Sequence, residues 1–338
     1  MQMDIDIVVL WVDGNDPAWQ AEKNRYSPKK IDNSNAANRY RDWNLMPYWF
    51  RAIEAFTPWV RTVHFVTWGH LPSFLNADNP RLHIVRHEDY MPPEALPCFN
   101  SCALEMNLHR IKGLAERFVY LNDDVFIIRP MEAGKFFNEK TGLPCNQFGE
   151  MPCYLKGALN PHEVSVVRDV GLINKWFDKK KVSLLKYPGK YCSTAYPLIE
   201  NVRNVGLKLL YSGYYTGFRS FHAASAFMKS SFEEVWEKEP ELLMQTTKEK
   251  FRSFICVNQY LPLWWQLASG KFSPVRISAD VKDTTPANLP YLCDLISGQK
   301  RDMLCLNDPS EEVDFESVSA QLRAAFEKIL PEKSSFEI

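Results

Sequence analysis

Two adjacent aspartates interrupt an apolar stretch of the chain. The segment RFVYLNDDVFIIRP, from Arg117 to Pro130, carries Asp123 and Asp124 between two apolar runs. Adjacent carboxylates repel each other unless a positive charge lies beside them. A hard divalent cation with nucleotide phosphates as its other ligands would offset that repulsion. The alternative is a turn with two solvated aspartates, which the apolar flanks on both sides make less favourable.

A second acidic turn follows the first apolar run, in LWVDGNDP. Gly14 and Asn15 suit a tight turn, and Asp13 and Asp16 could serve only to stabilise it. The position of this turn favours a further role, because it ends the first predicted strand of an α/β pattern, where nucleotides often dock. Asp13, Gly14 and Asn15 are therefore candidates for contacting a nucleotide.

Two residues of the C-terminal half have side chains suited to phosphate chemistry. His222 lies in SFHAASAFMK, and Arg252 lies among aromatic residues in KFRSFICVNQ. An arginine fork binds two phosphate oxygens at once, and a histidine titrates near neutral pH. The alternative interpretations are that His222 is packed in the core and that Arg252 is an ordinary surface residue.

Four apolar segments in the first 130 residues alternate with helical patterns. DIDIVVLWV, RTVHFVTW, RLHIVRH and FVYLN predict strands, whereas NLMPYWFRAIEAF and SCALEMNLHRIKGLAERF carry apolar residues at helical spacing. This alternation predicts an α/β fold with a Rossmann-like, mostly parallel sheet flanked by helices. Because ligands bind at the carboxyl ends of such strands, Asp13 and the Asp123–Asp124 pair should lie along one edge.

The second half of the chain predicts mainly helices. Residues 131–215 show little regular pattern, and KWFDKKKVSLLKYPGKY is basic and should be partly exposed. SSFEEVWEKEPELL predicts a helix with serine caps that stops near Pro240. KFRSFICVNQYLPLWWQLA predicts another helix, interrupted near Pro262.

The clearest helix signal is NDPSEEVDFESVSAQLRAAFEKIL. Asp308 is the predicted N-cap, Pro309 occupies the first position, and Glu311 completes a capping box. The apolar stripe of this helix comprises Phe315, Val318, Leu322, Phe326 and Ile329.

Composition excludes several classes of protein. The chain has 338 residues, 46 % of them hydrophobic, and a net charge of −1, which argues against a broad basic surface for nucleic acid. No apolar stretch reaches the roughly 18–20 residues of a membrane span, and the acidic N-terminus does not resemble a signal peptide. The eight scattered cysteines predict reduced thiols in a cytoplasmic protein. The chain has no P-loop, dinucleotide-binding fingerprint or nucleophile elbow.

These stretches together resemble the Stealth family of sugar-phosphate transferases. That family includes bacterial capsular and exopolysaccharide phosphotransferases and the catalytic subunit of the animal lysosomal-enzyme GlcNAc-1-phosphotransferase. The resemblance lies in DIDIVVLWVDGNDP, in the long stretch from NRYRDWN to LNDDVFI, around residues 153–202, and in KFRSFICVNQYLPLWW. LCLND near the end is also similar.

The resemblance implies a reaction, a fold and a cofactor. The chain would transfer a sugar 1-phosphate from a nucleotide sugar, with UDP as the expected carrier, to a hydroxyl of a glycan acceptor. The product would be a phosphodiester in capsular or exopolysaccharide biosynthesis. The resemblance also implies a divalent cation, with Mg²⁺ as the first choice, and a glycosyltransferase-A-like core. Residues 1–338 would form one catalytic domain, with a nucleotide-binding half at 1–130 and an acceptor- and phosphate-binding half at 131–338.

The resemblance also implies roles for single residues. Asp13 matches the nucleotide-contacting turn, and the acidic set that would bind the metal comprises Glu105, Asp123 and Asp124. One aspartate would bind the cation while the other accepts the hydroxyl proton as general base, and the sequence does not decide which. Glu105 would complete the metal shell or hold the acceptor.

The two C-terminal residues complete the implied catalytic set with Asp124. Arg252 would bind the phosphates. His222 would contact the transferring phosphoryl group or protonate the leaving phosphate, with a covalent phosphohistidine ranked lower.

Two other functions remain open at this stage. A metal-dependent glycosyltransferase would attack the anomeric carbon and release UDP, and a carbohydrate-binding protein would have no activity. With no membrane span, contact with membrane glycan machinery would be peripheral, and the basic KWFDKKK segment could assist it.

Overall fold

The computed structural model describes residues 3–27, 40, 43–155, 160–211, 213–309 and 313–338. The strands of this part of the chain are short. They are β1 Ile5–Leu10, β2 Val63–Thr67, β3 Leu82–Arg86, β4 Arg117–Asn122, β5 Val125–Ile127, β6 Cys145–Asn146, β7 Ser225–Met228, β8 Ser273–Pro274, β9 Ala279–Asp283 and β10 Met303–Asn307.

The helices surround these strands. They are α1 Pro17–Tyr26, α2 Met46–Phe56, α3 His87–Tyr90, α4 Ser101–Met106, α5 Pro161–Trp176, α6 Pro188–Tyr191, α7 Leu198–Leu210, α8 Lys229–Lys238, α9 Pro240–Lys248, α10 Tyr260–Ala268, α11 Leu289–Ser297 and α12 Phe315–Glu327. A π-helical turn spans Lys180–Lys186. Within the described ranges, every helix is too short or too polar to cross a membrane.

The main sheet has the order β3-β2-β1-β4-β7. Its first four strands are parallel, and β7 is antiparallel to β4. Leu10 at the end of β1 pairs with Asn122 at the end of β4. The turns that contain Asp13 and Asp123 therefore leave the same edge of the sheet. The predicted mostly parallel α/β sheet and the shared edge are both confirmed.

Two hydrophobic cores cover the two faces of this sheet. Alternate residues of each strand point to opposite faces: Ile7 and Val9 enter one core, and Val8 enters the other. The first core packs against α2, α11 and α12, and the second against α4, α5, α8 and α10. Strands buried on both faces explain the continuous apolar runs in the sequence.

The Asp123–Asp124 turn is where the chain leaves the main sheet. β4 ends at Asn122, and β5 begins at Val125 in a second sheet of order β5-β10-β9. The Leu306 N–H donates to the Asp124 carbonyl at 2.9 Å. The apolar runs on either side of the two aspartates thus belong to different sheets, which is why both runs are buried.

The predicted long helix from residue 101 is wrong beyond Met106. The Asn107 side chain donates to the Ala103 carbonyl at 2.8 Å and occupies an acceptor of the last turn. A short 3₁₀ turn follows at Leu108–Arg110. Leu108 and Ile111 are still buried, so their spacing reflected core packing and not one continuous helix.

The predicted start of the last helix is also wrong. α12 begins at Phe315, and the Asp314 side chain caps it by accepting from Ser317 N–H at 3.1 Å. At Asp308 the chain is still leaving β10, because Thr284 N–H bonds the Asn307 carbonyl. Glu311 of the predicted capping box lies outside the described residues. The apolar stripe is buried as predicted at Val318, Leu322 and Phe326.

The other two predicted helices need smaller corrections. α10 begins only at Tyr260, and Pro262 is its third residue, where no intrahelical N–H bond is required. The Asn100 side chain donates to the carbonyls of Glu249 and Phe251. These hydrogen bonds keep the segment before α10 non-helical. The serine caps predicted for α8 lie inside the helix, although it does end before Pro240. Helices α5 and α7 were not predicted.

Both sheets contain strands from both halves of the chain. β7 extends the main sheet beside β4, and β10 joins the second sheet beside β5. Both sheets therefore cross residue 130, and the assignment of a nucleotide-binding half and an acceptor-binding half stays a prediction. All eight cysteines are described, and all are free thiols.

A buried carboxylate lies within the main sheet. Asp6 of β1 is fully buried and accepts from Arg61 Nε at 2.8 Å and from Ala115 N–H at 2.8 Å. His64 Nε2 lies 3.0 Å from its second oxygen. Burial alone would raise the pKa of Asp6, but the hydrogen bonds from Arg61, His64 and Ala115 lower it on balance.

We predict that Asp6→Asn lowers the free energy of unfolding by about 2–3 kcal/mol at pH 7, because it leaves buried donors with a neutral, mismatched partner. Because the pKa of Asp6 is lower in the folded state, its contribution is full above its ordinary pKa near 4. It is lost as the pH falls through the folded value. Denaturant unfolding at pH 7 and below pH 3 measures both effects. Exposed Asp4→Asn is the matched control, and equal losses in the two variants would contradict the prediction.

Candidate active site

Asp124 is half-buried at the carboxyl end of β4. Its Oδ2 lies 3.9 Å from His222 Nε2, which is an ion-pair distance and too long for a hydrogen bond. Its Oδ1 is buried and has no hydrogen-bond partner among the residues that the structure describes. A buried carboxylate oxygen without a donor is costly. Asp124 therefore has one oxygen available for a ligand.

His222 lies between Asp124 and the second half of the chain. Its Nδ1 is 3.1 Å from the Tyr260 hydroxyl, and its φ of 40° places it in the left-handed region. Burial lowers the pKa of His222, but Asp124 and Glu105 outweigh burial and raise it above 6.5. A strained backbone with a raised pKa is typical of a functional histidine.

Glu105 is buried on α4, behind β4. Its Oε1 accepts from the Tyr120 hydroxyl at 3.3 Å, and its Oε2 accepts from Gln259 N–H at 3.1 Å. Burial raises the pKa of Glu105, while Arg252 and the two hydrogen bonds oppose that rise. Because both oxygens are occupied, Glu105 connects β4 to the start of α10.

Arg252 lies in the non-helical segment before α10. Its Nη2 donates to Ser101 Oγ at 2.7 Å at the start of α4. Burial lowers the pKa of Arg252, but its neighbours Cys102 and Glu105 outweigh burial and raise it above its usual value. The guanidinium is thus held charged beside α4.

The four predicted residues Glu105, Asp124, His222 and Arg252 form one electrostatic cluster. Glu105 raises the pKa of His222 and Arg252 lowers it, while His222 and Arg252 both lower the pKa of Glu105. They come from four separate segments of the chain. The structure therefore brings together the residues that the sequence singled out in both halves.

The remaining predicted metal ligand, Asp123, is half-buried beside Asp124. Its negative charge raises the pKa of Tyr120 and of Cys305. The Asp123 carboxylate is therefore within electrostatic range of two residues that neighbour Glu105 and Asp124.

The Asp13 turn is rigid and serves the local fold. Asn15 N–H donates to Asp13 Oδ1 at 2.8 Å, and Asp13 N–H donates to His70 Nε2 at 2.8 Å. A Cβ on Gly14 would lie 2.1 Å from the Tyr40 carbonyl oxygen, so only glycine fits there. Asp16 caps α1 through Trp19 N–H. A nucleotide role for Asp13, Gly14 and Asn15 stays a prediction.

A candidate cation site includes Cys305, which the sequence did not suggest. Ligand atoms of Asp124, His222 and Cys305 lie within 4.8 Å of one another. Burial raises the pKa of the Cys305 thiol well above its usual value, and Asp124 adds to the rise, so the thiol stays protonated. A neutral thiol is a poor ligand for Mg²⁺, which prefers oxygen. The unpaired Asp124 Oδ1 fits Mg²⁺, and the Cys305 sulfur does not.

Sequence reasoning missed three residues of this site. Cys305 lies on β10, within the LCLND stretch, and Tyr260 begins α10. Asp169 of α5 is fully buried, and neither of its oxygens has a hydrogen-bond partner in the described ranges. Burial raises its pKa well above the usual value, and the charge of Glu105 adds to the rise. No spacing pattern connects Asp169 to Glu105, so only the fold could show that they interact.

The sheet and its charged cluster define an α/β protein with a candidate active site at the carboxyl end of its parallel strands. Models of two conserved regions of Stealth proteins match this chain: Stealth protein CR1, conserved region 1, at residues 3–31, and Stealth protein CR2, conserved region 2, at residues 39–144. A capsular polysaccharide phosphotransferase WcwK of Streptococcus pneumoniae is 38 % identical over 343 residues, covering 100 % of both chains. The chain belongs to the Stealth family of transferases.

Other relatives extend this comparison. The exopolysaccharide phosphotransferase cps2G of Lactiplantibacillus plantarum is 35 % identical over 338 residues, covering 99 % of this chain and 96 % of its own. Among solved structures, a galactosyltransferase LgtC in complex with donor and acceptor sugar analogues is loosely similar. Its TM-score is 0.37 at 11 % identity, over 94 % of this chain and 95 % of that chain.

We predict that Asp124→Asn lowers the pKa of His222, because Asp124 is the largest contributor that raises it. The pKa should fall from above 6.5 in the intact protein toward or below that value. NMR titration of the His222 imidazole measures the shift. Asp123→Asn is the matched control and should change the pKa less. An unchanged value in Asp124→Asn would show that the 3.9 Å contact carries no electrostatic coupling.

Proposed function

We propose that the chain transfers a sugar 1-phosphate from a nucleotide sugar to a hydroxyl of a glycan during capsular or exopolysaccharide biosynthesis. Family membership supports phosphotransfer, since the full-length relatives are named capsular and exopolysaccharide phosphotransferases. The contact of His222 with Asp124 carries the proposal, because it places a proton donor beside a carboxylate at the ligand-binding edge of the sheet. UDP is the proposed carrier.

The reaction would join the acceptor oxygen to the β-phosphorus of the donor. The bond between that phosphorus and the bridging oxygen breaks, and a nucleoside monophosphate leaves. Asp124 or its neighbour Asp123 would accept the hydroxyl proton as general base. Catalysis of phosphoryl transfer depends chiefly on positioning and charge stabilisation. The end of a paired strand provides the positioning.

His222 would give a proton to the leaving phosphate. Its raised pKa favours this role over that of a base, because an imidazolium holds its proton more firmly beside Asp124. The Tyr260 hydroxyl lies against Nδ1 and leaves Nε2 facing Asp124. The proton that leaves would therefore come from Nε2.

Arg252 would bind the phosphates and offset their charge in the transition state. Its Nη2 is held by Ser101, and Glu105, an acidic group that acts on it electrostatically, has a raised pKa. A glutamate that ionises less readily than usual competes less for the guanidinium. More of the Arg252 charge is then available to the substrate.

A divalent cation, with Mg²⁺ as the first choice, would be held by whichever aspartate does not act as the base: Asp124, through its Oδ1, or Asp123. A cation there supplies charge neutralisation for the donor phosphates. Glu105 is a weaker candidate ligand because both of its oxygens already accept hydrogen bonds. Asp13, Gly14 and Asn15, on the same edge, would contact the nucleotide.

We predict that the purified protein with Mg²⁺, a panel of UDP-sugars and oligosaccharide acceptors releases UMP and forms a phosphodiester. Asp124→Asn should reduce turnover at least about 100-fold, since it removes a base or metal ligand. Exposed Asp78→Asn is the matched control and should retain full activity. Release of UDP would instead make the protein a glycosyltransferase and contradict the proposed reaction.

We also predict a pH dependence of turnover set by His222. If the imidazolium is the proton donor, the rate falls as pH rises through its pKa, which lies above 6.5. In His222→Asn the whole rate drops and this alkaline limb disappears. The pH–rate profile of the two forms measures it. His109→Asn is the control, because His109 packs against Phe232 and Trp236 and its ring contacts no described residue of the charged cluster. An alkaline limb that persists in His222→Asn would exclude the role.

A further inference from the structure

Helix α7 has its polar side turned toward the protein. Glu200 and Asn204 are buried. Glu200 forms ion pairs with Arg203 and with Arg219, the latter at 2.8 Å. Asn204 accepts from Glu150 N–H at 2.8 Å and donates to the Tyr191 carbonyl at 3.1 Å. Hydrogen bonds and ion pairs therefore fix this helix to the protein.

The opposite side of α7 is apolar and faces outward. Its exposed residues, which we term the α7 stripe, are Leu198, Ile199, Val202, Val205, Leu209 and Leu210, with exposed fractions between 43 % and 80 %. At 3.6 residues per turn, these six positions share one face of the helix. The amphipathicity of α7 is thus the reverse of that of an ordinary surface helix.

Such a surface needs an explanation beyond folding. Single exposed apolar residues are normal, but a contiguous apolar patch marks an interaction site. Its residues are most exposed at the two ends of the helix, and Leu185 beside it is also 74 % exposed. The buried polar contacts of Glu200 and Asn204 set this orientation, so the stripe is a fixed feature of the fold.

A basic segment lies against the C-terminal half of α7. Lys208 Nζ donates to the Ser183 carbonyl at 3.3 Å, and Lys179 Nζ donates to the Leu207 carbonyl at 3.3 Å. This basic segment is partly exposed, as predicted: Lys179 is buried and paired with Glu150 at 2.7 Å. Its neighbours Lys180, Lys181 and Lys186 are exposed.

We propose that the α7 stripe docks on an anionic phospholipid bilayer, with Lys180, Lys181 and Lys186 contacting the headgroups. Exposed apolar side chains beside lysines are the pattern of a helix that lies in the membrane interface. Charge complementarity selects this occupant, because three exposed lysines beside an apolar stripe match a layer of anionic headgroups over a hydrocarbon interior.

This surface is connected to the candidate active site. Glu200 binds Arg219, whose N–H bonds the Gly149 carbonyl at 2.7 Å, and Arg219 lies three residues before His222. A bilayer bound to α7 would therefore be held at a fixed distance from the His222 segment. The docking itself does not depend on the proposed reaction.

The test is co-sedimentation of the full chain with vesicles, without substrates. We expect binding to vesicles of mixed phosphatidylcholine and phosphatidylglycerol, weaker binding at high salt, and less binding to pure phosphatidylcholine. The double variant Ile199→Gln/Leu209→Gln should lose at least about tenfold in partitioning, because two inserted side chains become polar. The variant Lys181→Glu/Lys186→Glu should lose the preference for the anionic lipid.

The control is Leu71→Gln, which changes an exposed apolar residue away from α7 and should bind as the intact chain does. Equal melting temperatures would show that all variants fold, as expected for exposed positions. Equal vesicle binding of the stripe variant and the intact chain would overturn the proposal. The proposal would also be overturned if the intact chain did not bind vesicles but formed a dimer, and if the stripe variant dissociated that dimer. Turnover of soluble substrates is measured separately, so failure here is distinct from failure of the proposed reaction.

Discussion

The candidate site depends on one constraint, which is that β4 and β5 belong to different sheets while only two residues separate them. The β4 side is fixed by its parallel register with β1, and the far side by β5 pairing with β10. The Leu306 N–H on the Asp124 carbonyl holds the turn itself. Strand pairing on both sides of the turn thus holds the two carboxylates at a half-buried edge.

Partners from distant segments then tune the charges around this turn. Asp124 raises the pKa of His222, burial raises that of Glu105, and Arg252 remains charged between α4 and α10. Burial disfavours the charged form of each of these side chains, and a charged neighbour counteracts that effect. Glu105 acts as the connector, since it accepts from Tyr120 in β4 and from the backbone at Gln259. The second half of the chain is thereby attached to the sheet edge.

The sequence was a good guide where local patterns coincide with burial. The four parallel strands and α2 were predicted because apolar runs and helical spacing are properties of a few neighbouring residues. The ends of α4, α10 and α12 were predicted wrongly because long-range contacts decided them: Asn107 ended α4, Asn100 held the segment before α10, and β10 delayed the start of α12. Helix α7 was missed although its apolar residues have helical spacing, and its orientation, with the polar side buried, is the reverse of the usual pattern.

The sequence by itself determined the identities of the reactive groups and the edge where they belong. A parallel α/β pattern forces the turns after β1 and β4 to the same side, so Asp13, Asp123 and Asp124 could be placed without coordinates. Only the tertiary structure decided that His222 and Arg252 face Glu105 and Asp124, that Cys305 and Asp169 join them, and that α7 turns its apolar face outward. These features rest on contacts between residues far apart in the chain, and spacing along a sequence carries no information about such contacts.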